Sequence, residues 1–394
     1  MYEELKQAFR EQFSRKATHI FSAPGRTELG GNHTDHQLGR VLAGAVSLDT
    51  VAAVAPNGER QIRVLSEGYP LCVISLDELE PSSAEYGSTA ALIRGVAGTI
   101  AARGHRVSGF DAYVRSRVLP GSGLSSSAAF EVLIGTIVNT LDACGLDAIQ
   151  IAQIGQIAEN VFFGKPCGLM DQMASSVGGI VTIDFLDPDA PKVEPLDFDF
   201  AACGHALCIV DSGADHADLT DEYAAIPREM GEVCRVFGKT HLREVDEAAF
   251  YARLPEVRAA AGDRAAMRAM HFFEDNALVG REVEALRAGD FPGFLELVKA
   301  SGRSSWMYLQ NVIPTGAKRH QELALSLALA EKLLQGRGAC RVHGGGFAGT
   351  IQAFVPLDLL EDFRTGIEAV LGAGSCHVLS IRPEGGILLE EVKA

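Results

Sequence analysis

Apolar residues change their spacing at one glycine-rich point in the chain. Phe110, Ala112, Val114 and Val118 alternate with Asp111, Tyr113, Arg115 and Arg117, the period of two expected of a half-buried strand. Just beyond, Phe130, Leu133, Ile134, Ile137, Val138 and Leu141 line one face of a helix. Before this point, residues 2–14 read as a short helix and residues 19–23 as a strand ending at Pro24. Residues 41–43, 51–54 and 71–74 read as strands of an antiparallel sheet. Helices are predicted at residues 89–103 and 149–163. The pattern restarts with a buried-strand run at 206–210, helical segments near 271–274, 294–298 and 321–334, and a strand at 351–355. A stretch rich in proline and aspartate at 187–199 marks a boundary, giving units 1–198 and 199–394.

The strand and helix around position 120 are joined by Gly121, Ser122, Gly123, Leu124, Ser125, Ser126 and Ser127. A glycine-rich turn opening a helix presents unpaired N–H groups and the positive end of the helix dipole, which suits an anion. The three serine hydroxyls add donors and a candidate magnesium ligand. The same residues also read as a turn with an N-cap. A dinucleotide fingerprint fails because Ser126 stands at the third glycine, and a Walker loop fails because no G-K-[ST] follows.

A second informative stretch, residues 24–37, places Arg26, Glu28, His33, Asp35 and His36 among glycines. Such a density of hydrogen-bonding groups suits a polyhydroxylated ligand. A solvated loop, or a metal site from His33, Asp35 and His36, remains open on this chemistry.

The length of 394 residues, 47% of them hydrophobic, leaves room for two or three domains. Acidic residues outnumber basic ones 51 to 35, a net charge of -16 that argues against nucleic acid and anionic membrane as partners. An anionic nucleotide would need a locally positive site or a magnesium ion. The N-terminal residues lack a basic-then-apolar leader, and no run of about 18 apolar residues suggests a span, so a cytoplasmic protein is expected. The eight cysteines are scattered without redox or zinc spacing.

The glycine-serine loop resembles the P-x-G-x-G-L-[GS]-S-S-A phosphate loop of the GHMP small-molecule kinases, with Leu119 at the usual proline and Pro120 one place later. Residues 24–36 resemble the galactokinase signature P-G-R-x-N-x-I-G-E-H-x-D-Y. Pro24, Gly25, Arg26, Gly31, His33 and Asp35 match it, while Glu28, Gly30, Asn32 and His36 depart. Cys167-Gly168-Leu169-Met170-Asp171-Gln172 is similar to C-G-x-M-D-Q, and the glycine run at 342–350 is similar to the third family motif. A lone Asp171 would otherwise read as a helix cap.

This resemblance implies a two-domain α+β kinase: an N-terminal domain of mixed sheet and helices and a ferredoxin-like C-terminal domain, with the active site between them. It implies ATP and magnesium, and attack on ATP by the anomeric hydroxyl of galactose or a similar sugar. Asp171 and Arg26 would be catalytic, residues 121–127 would hold the phosphates, and Ser127 and Glu159 would hold magnesium. Asn32, His33, Asp35, Gly168 and Tyr223 would hold the sugar. Thr89 stands where the family commonly has an adenine-contacting tryptophan. Asn32 replaces the glutamate that binds the sixth-carbon hydroxyl, and residues 33–37 resemble the H-x-D-H-Q of galacturonate kinases. Galacturonate, or a sensor that binds without turnover, is therefore the alternative. No nucleic-acid or membrane partner is expected, and the oligomeric expectation is a monomer or weak oligomer.

Overall fold

The computed structural model describes residues 2–118, 123–214 and 219–392. After helix α1 (Tyr2–Phe13), strands β1 (His19–Gly30) and β2 (Arg40–Pro56) form an antiparallel pair that is the spine of the first sheet. β3 (Gln61–Ser66) and β4 (Cys72–Ser75) follow, then α2 (Thr89–Ala102) and β5 (Phe110–Ser116). Next come α3 (Ser126–Leu141), α4 (Ala148–Ile157), a π-helical turn (Ala158–Phe163), α5 (Met170–Val177), β6 (Ile180–Asp184) and β7 (Lys192–Leu196).

β2 is long enough to pair with β6 over its first residues and with β5 over its last. β3 and β5 run parallel, so the sheet is mixed rather than antiparallel throughout. Residues 41–43 and 51–54, expected as separate strands, belong to this one strand, whose apolar residues are buried nearly end to end. Helices α2, α3 and α4 cover one face, packing Ile93, Val96, Leu133, Ile137 and Ile154 against Phe21, Val54, Ala112 and Val114.

The second sheet contains β8 (His205–Asp211), β9 (Ala339–His343), β10 (Thr350–Pro356) and β11 (Cys376–Leu379) in the order β11-β8-β10-β9, every pair antiparallel. Its chain order is that of a ferredoxin-like βαββαβ unit. Helices α6 (Thr220–Val236), α7 (Glu247–Ala252), α8 (Leu254–Ala261), α9 (Asp263–Arg287), α10 (Phe291–Ser304) and α11 (Glu322–Leu334) lie between β8 and β9, and α12 (Leu360–Leu371) precedes β11. The first sheet is thus mixed and helix-covered, and the second is ferredoxin-like, as the resemblance implies.

Pairing and packing cross the division expected at residue 198. Strand β12 (Ile387–Glu391) returns to the first sheet and pairs with β1. One apolar cluster also joins Leu29, Leu42 and Leu124 to Leu207, Val279, Phe294 and Phe354. The proline- and aspartate-rich segment read as a boundary contains β7.

β1 does not end at Pro24. It continues to Gly30, with irregular register after Pro24 and after Glu28, the kind of break at which proline is tolerated in a sheet. Only from Gly31 onward does the chain become a turn and a short 3-10 helix (Asp35–Gln37). Gly30 packs so closely on α9 that a Cβ would sit 1.9 Å from Glu282 Oε2.

Glu282 is fully buried, and neither carboxylate oxygen has a hydrogen-bond partner among the described residues. Burial pushes its carboxyl up to about 8, despite the opposing charge of Arg341. The protonated form is thus favoured by folding, so this residue's contribution declines as pH rises from the unfolded carboxyl range toward 8. Glu282→Gln should stabilise the protein at pH 8 by on the order of a few kcal/mol, with the gain shrinking toward pH 5. Paired melting curves across that range check this; equal melting temperatures at pH 8 would contradict it.

Candidate active site

Strand β1 brings Arg26 beside the phosphate-loop region. Arg26 N–H donates to Leu124 O at 3.0 Å, and a Cβ at Gly25 would lie 2.8 Å from that carbonyl oxygen. A side chain at 25 would therefore push β1 and the loop apart. Gly121 and Ser122 lie outside the described residues. From Gly123 onward the loop turns into α3, with Ser125 in the left-handed region at φ 59° immediately before the helix.

Arg26 reaches across to Asp171 in the first turn of α5. Nε and Nη2 donate to the two carboxylate oxygens at 2.7 and 2.8 Å, the bidentate geometry that suits guanidinium and carboxylate. Its Nη1 donates to Gly123 O, and Ser125 Oγ donates to Asp171 Oδ2. The Arg26 side chain is 7% exposed and that of Asp171 30%. Burial pushes the Asp171 carboxyl up, but the Arg26 charge and the hydrogen bonds from Arg26 and Ser125 outweigh it, holding the group below the usual aspartate range.

Next to this pair, Ser127 Oγ donates to Glu159 Oε1 at 3.1 Å. Glu159 sits in the π-helical turn, as irregular helix often does at functional sites. Gln172 Nε2 donates to Glu159 Oε2 at 2.8 Å and to Glu131 Oε2 at 2.9 Å, bridging two buried carboxyl groups. Burial, then the charge of Glu159, pushes Glu131 up. A cavity of about 320 Å³ opens beside the start of α3, lined in part by Tyr69, Thr89, Leu92, Ser126, Ser127 and Phe130.

On the other side of Asp171 lie the turn residues after β1. Asp35 packs against Gly168, where a Cβ would be 1.8 Å from Oδ2. Burial, then the Asp171 charge, raises its carboxyl to about 6. His33, at φ 57°, donates from Nε2 to Gly345 O at 2.9 Å. That leaves its Nδ1 as acceptor toward His36 Nε2 at 3.4 Å. Burial lowers His33 to about 4 and His36 to about 3, so both rings are neutral at physiological pH. Tyr223 Oη donates to Gly346 O at 2.8 Å, and its ring would meet a Cβ at Gly345 at 2.8 Å.

Asn32 differs from the expectation of a sugar contact. It is fully buried, and its amide is engaged by protein on both sides. Nδ2 donates to Glu28 Oε1 at 3.0 Å and Gly344 O at 2.7 Å. Oδ1 accepts from Asn311 Nδ2 at 2.9 Å and Ser305 Oγ at 3.3 Å. The carboxylate of Glu28 is held in turn by the fully buried Arg341 at 2.7 Å. Asn32 thus stitches the turn to the segment just after α10 and to the glycine run.

That glycine run joins the site through His343, which links Thr350 Oγ1 at 3.0 Å to Thr27 Oγ1 at 3.1 Å and the Glu28 N–H at 3.2 Å. Gly123 fits because a Cβ there would lie 2.5 Å from Thr350 Oγ1. Sequence reading missed His343, Arg341, Asn311 and Glu131, whose spacing gives no sign that they meet; Gln172 was at least marked by lying beside Asp171. Among the described residues, no group of three or more His, Cys, Asp or Glu is arranged for a metal, which disposes of His33, Asp35 and His36 as such a cluster within this structure.

The chain resembles known proteins in sequence and in fold. Residues 7–56 match the galactokinase galactose-binding signature, and residues 91–179 match the GHMP kinases N terminal domain. The Lactococcus lactis galactokinase complexed with galactose is 24% identical at a TM-score of 0.84, over 98% of this chain and 100% of that one. Methanococcus jannaschii mevalonate kinase is 14% identical, with a TM-score of 0.67 over 93% and 99%. Streptococcus pneumoniae phosphomevalonate kinase, in complex with phosphomevalonate and AMPPNP, is 11% identical, with a TM-score of 0.63 over 91% and 99%. The two sequence matches contain Arg26, Asp35, Glu159 and Asp171, so the chain carries the galactokinase galactose-binding signature and a GHMP kinases N terminal domain, on the fold it shares with these solved structures.

Proposed function

We propose that this protein is a sugar 1-kinase that transfers the γ-phosphoryl group of ATP to the anomeric hydroxyl of galactose or a close relative. The observation that carries this reading is the bidentate Arg26–Asp171 pair at the mouth of the phosphate-loop helix. In phosphoryl transfer, positioning and electrostatics do most of the work. Asp171, held ionised, accepts the hydroxyl proton. Arg26 fixes its orientation and offers charge to the transferring group. The phosphates lie on the loop 121–127 and the start of α3, and the cavity lined by Thr89 and Phe130 takes the nucleoside. His33, Asp35, Gly168 and Tyr223 surround the sugar; Asn32 supports that pocket from behind.

Magnesium fits the oxygen donors of Ser127 and Glu159. A hydroxyl and one carboxylate suffice when substrate phosphates complete the shell. When bound it neutralises phosphate charge. The protein's own share is to hold Glu159 rigid through Gln172. A binding protein without turnover would keep the pockets but not need Asp171 ionised beside Arg26. Turnover of ATP against galactose, galacturonate and glucose separates these readings and fixes the preferred sugar.

Asp171→Asn should leave folding intact and lower kcat roughly a hundredfold to ten-thousandfold; near-normal turnover would remove Asp171 as the base. Gly168→Ala should displace the Asp35 carboxylate and raise the sugar KM about tenfold or more with a smaller change in the ATP KM. Sugar KM unchanged in that variant would detach Asp35 from the sugar. Since Asp35 titrates near 6, a protonated carboxyl below that pH accepts fewer hydroxyl hydrogen bonds. Sugar KM should therefore rise as pH falls from 7 to 5, and a pH profile of initial rates tests the direction.

A further inference from the structure

We propose that Lys165 is a phosphate-binding residue of this site, supplying the mobile cation that the phosphate loop itself lacks; the inference rests on ATP binding at that loop. No lysine follows the loop glycines in sequence. Lys165 reaches the same place from the far side, across the π-helical turn. Its ammonium lies 3.1 Å from Glu159 Oε1, the oxygen that also accepts from Ser127 Oγ.

The position of Lys165 is built rather than incidental. Its N–H donates to Glu159 O at 3.1 Å. Gly164 before it takes φ 79° and packs where a Cβ would be 2.8 Å from the Tyr86 ring. Pro166 follows and fixes its own φ. The backbone is thereby held while the side chain, 64% exposed, reaches Glu159 from solvent.

The charges around it also need it. Glu159, Asp171 and Asp35 cluster on a protein of net charge -16, and ATP adds further negative charge. Among the described residues, Arg26 and Lys165 are the cations paired with these carboxylates. Arg26 has Nε and Nη2 on Asp171 and Nη1 on Gly123 O, so its strongest directions are already engaged. Among the described residues, the Lys165 ammonium makes one hydrogen bond and keeps donors for a phosphate oxygen. A cation arriving on Glu159 would repel the ammonium from Oε1 toward the phosphates by like charge. Lys165 would then hold Glu159 before the nucleotide binds and the phosphate afterwards.

The competing explanation is an ordinary exposed ion pair, which would contribute little to either. Calorimetric binding of the non-hydrolysable analogue AMP-PNP, with magnesium and with chelator, separates the two. Lys165→Met should weaken metal-free binding about tenfold or more and binding with magnesium by less. Lys165→Arg should restore most of the loss, while the melting temperature and galactose affinity stay as in the parent. Metal-free affinity of Lys165→Met within about twofold of the parent overturns the proposal. If the parent protein binds no analogue under either condition, the ATP-site reading itself fails and takes this proposal with it.

Discussion

The site depends on one ion pair. Arg26 lies on β1, Asp171 on α5, and the backbone oxygen that Arg26 also binds belongs to Gly123 before α3. Three separate segments of the chain are thus held at one guanidinium group. Withdrawing these charges from water is unfavourable unless geometry and additional hydrogen bonds compensate, and here the two parallel bonds and the Ser125 hydroxyl do so. The same pairing keeps an acidic group ionised in a partly buried place. Architecture and acid-base chemistry therefore share a single constraint.

Around that pair, buried polar groups are arranged as links rather than as isolated contacts. Arg341 on β9 holds Glu28, Glu28 holds Asn32, and Asn32 reaches Asn311, Ser305 and Gly344. Such a network fixes the turn after β1 against both sheets. It also accounts for two departures from the galactokinase signature. Glu28 and Asn32 sit four residues apart and bond to each other, and the Glu28 carboxylate is held beside Arg341.

Much of the fold was legible because its strongest periods are long. The helix after the phosphate loop spans 126–141 as its apolar face requires, and α9, α10 and α11 run through the predicted helical segments. What was misread has physical causes. Pro24 and the following glycines look like a strand end, yet irregular pairing with β2 carries them onward. β6, β7 and β12 are five residues each and take their identity from partners far away in sequence. The candidate site was legible where motifs were contiguous, as at Arg26 and Asp171. It was not legible at Asn32, whose burial depends on α9, the segment after α10 and the glycine run closing over it.

The return of β12 to β1 has a kinetic meaning. Phe21 pairs with Leu388 and Ser22 with Ile387, so the outer edge of the first sheet is completed by residues synthesised long after β1. Until they leave the ribosome, the strand that carries Arg26 has one edge bare, and unpaired strand edges invite aggregation. Contacts of such long sequence separation also slow folding. The strand that carries Arg26 is laid down early, but its free edge is covered only by residues made much later.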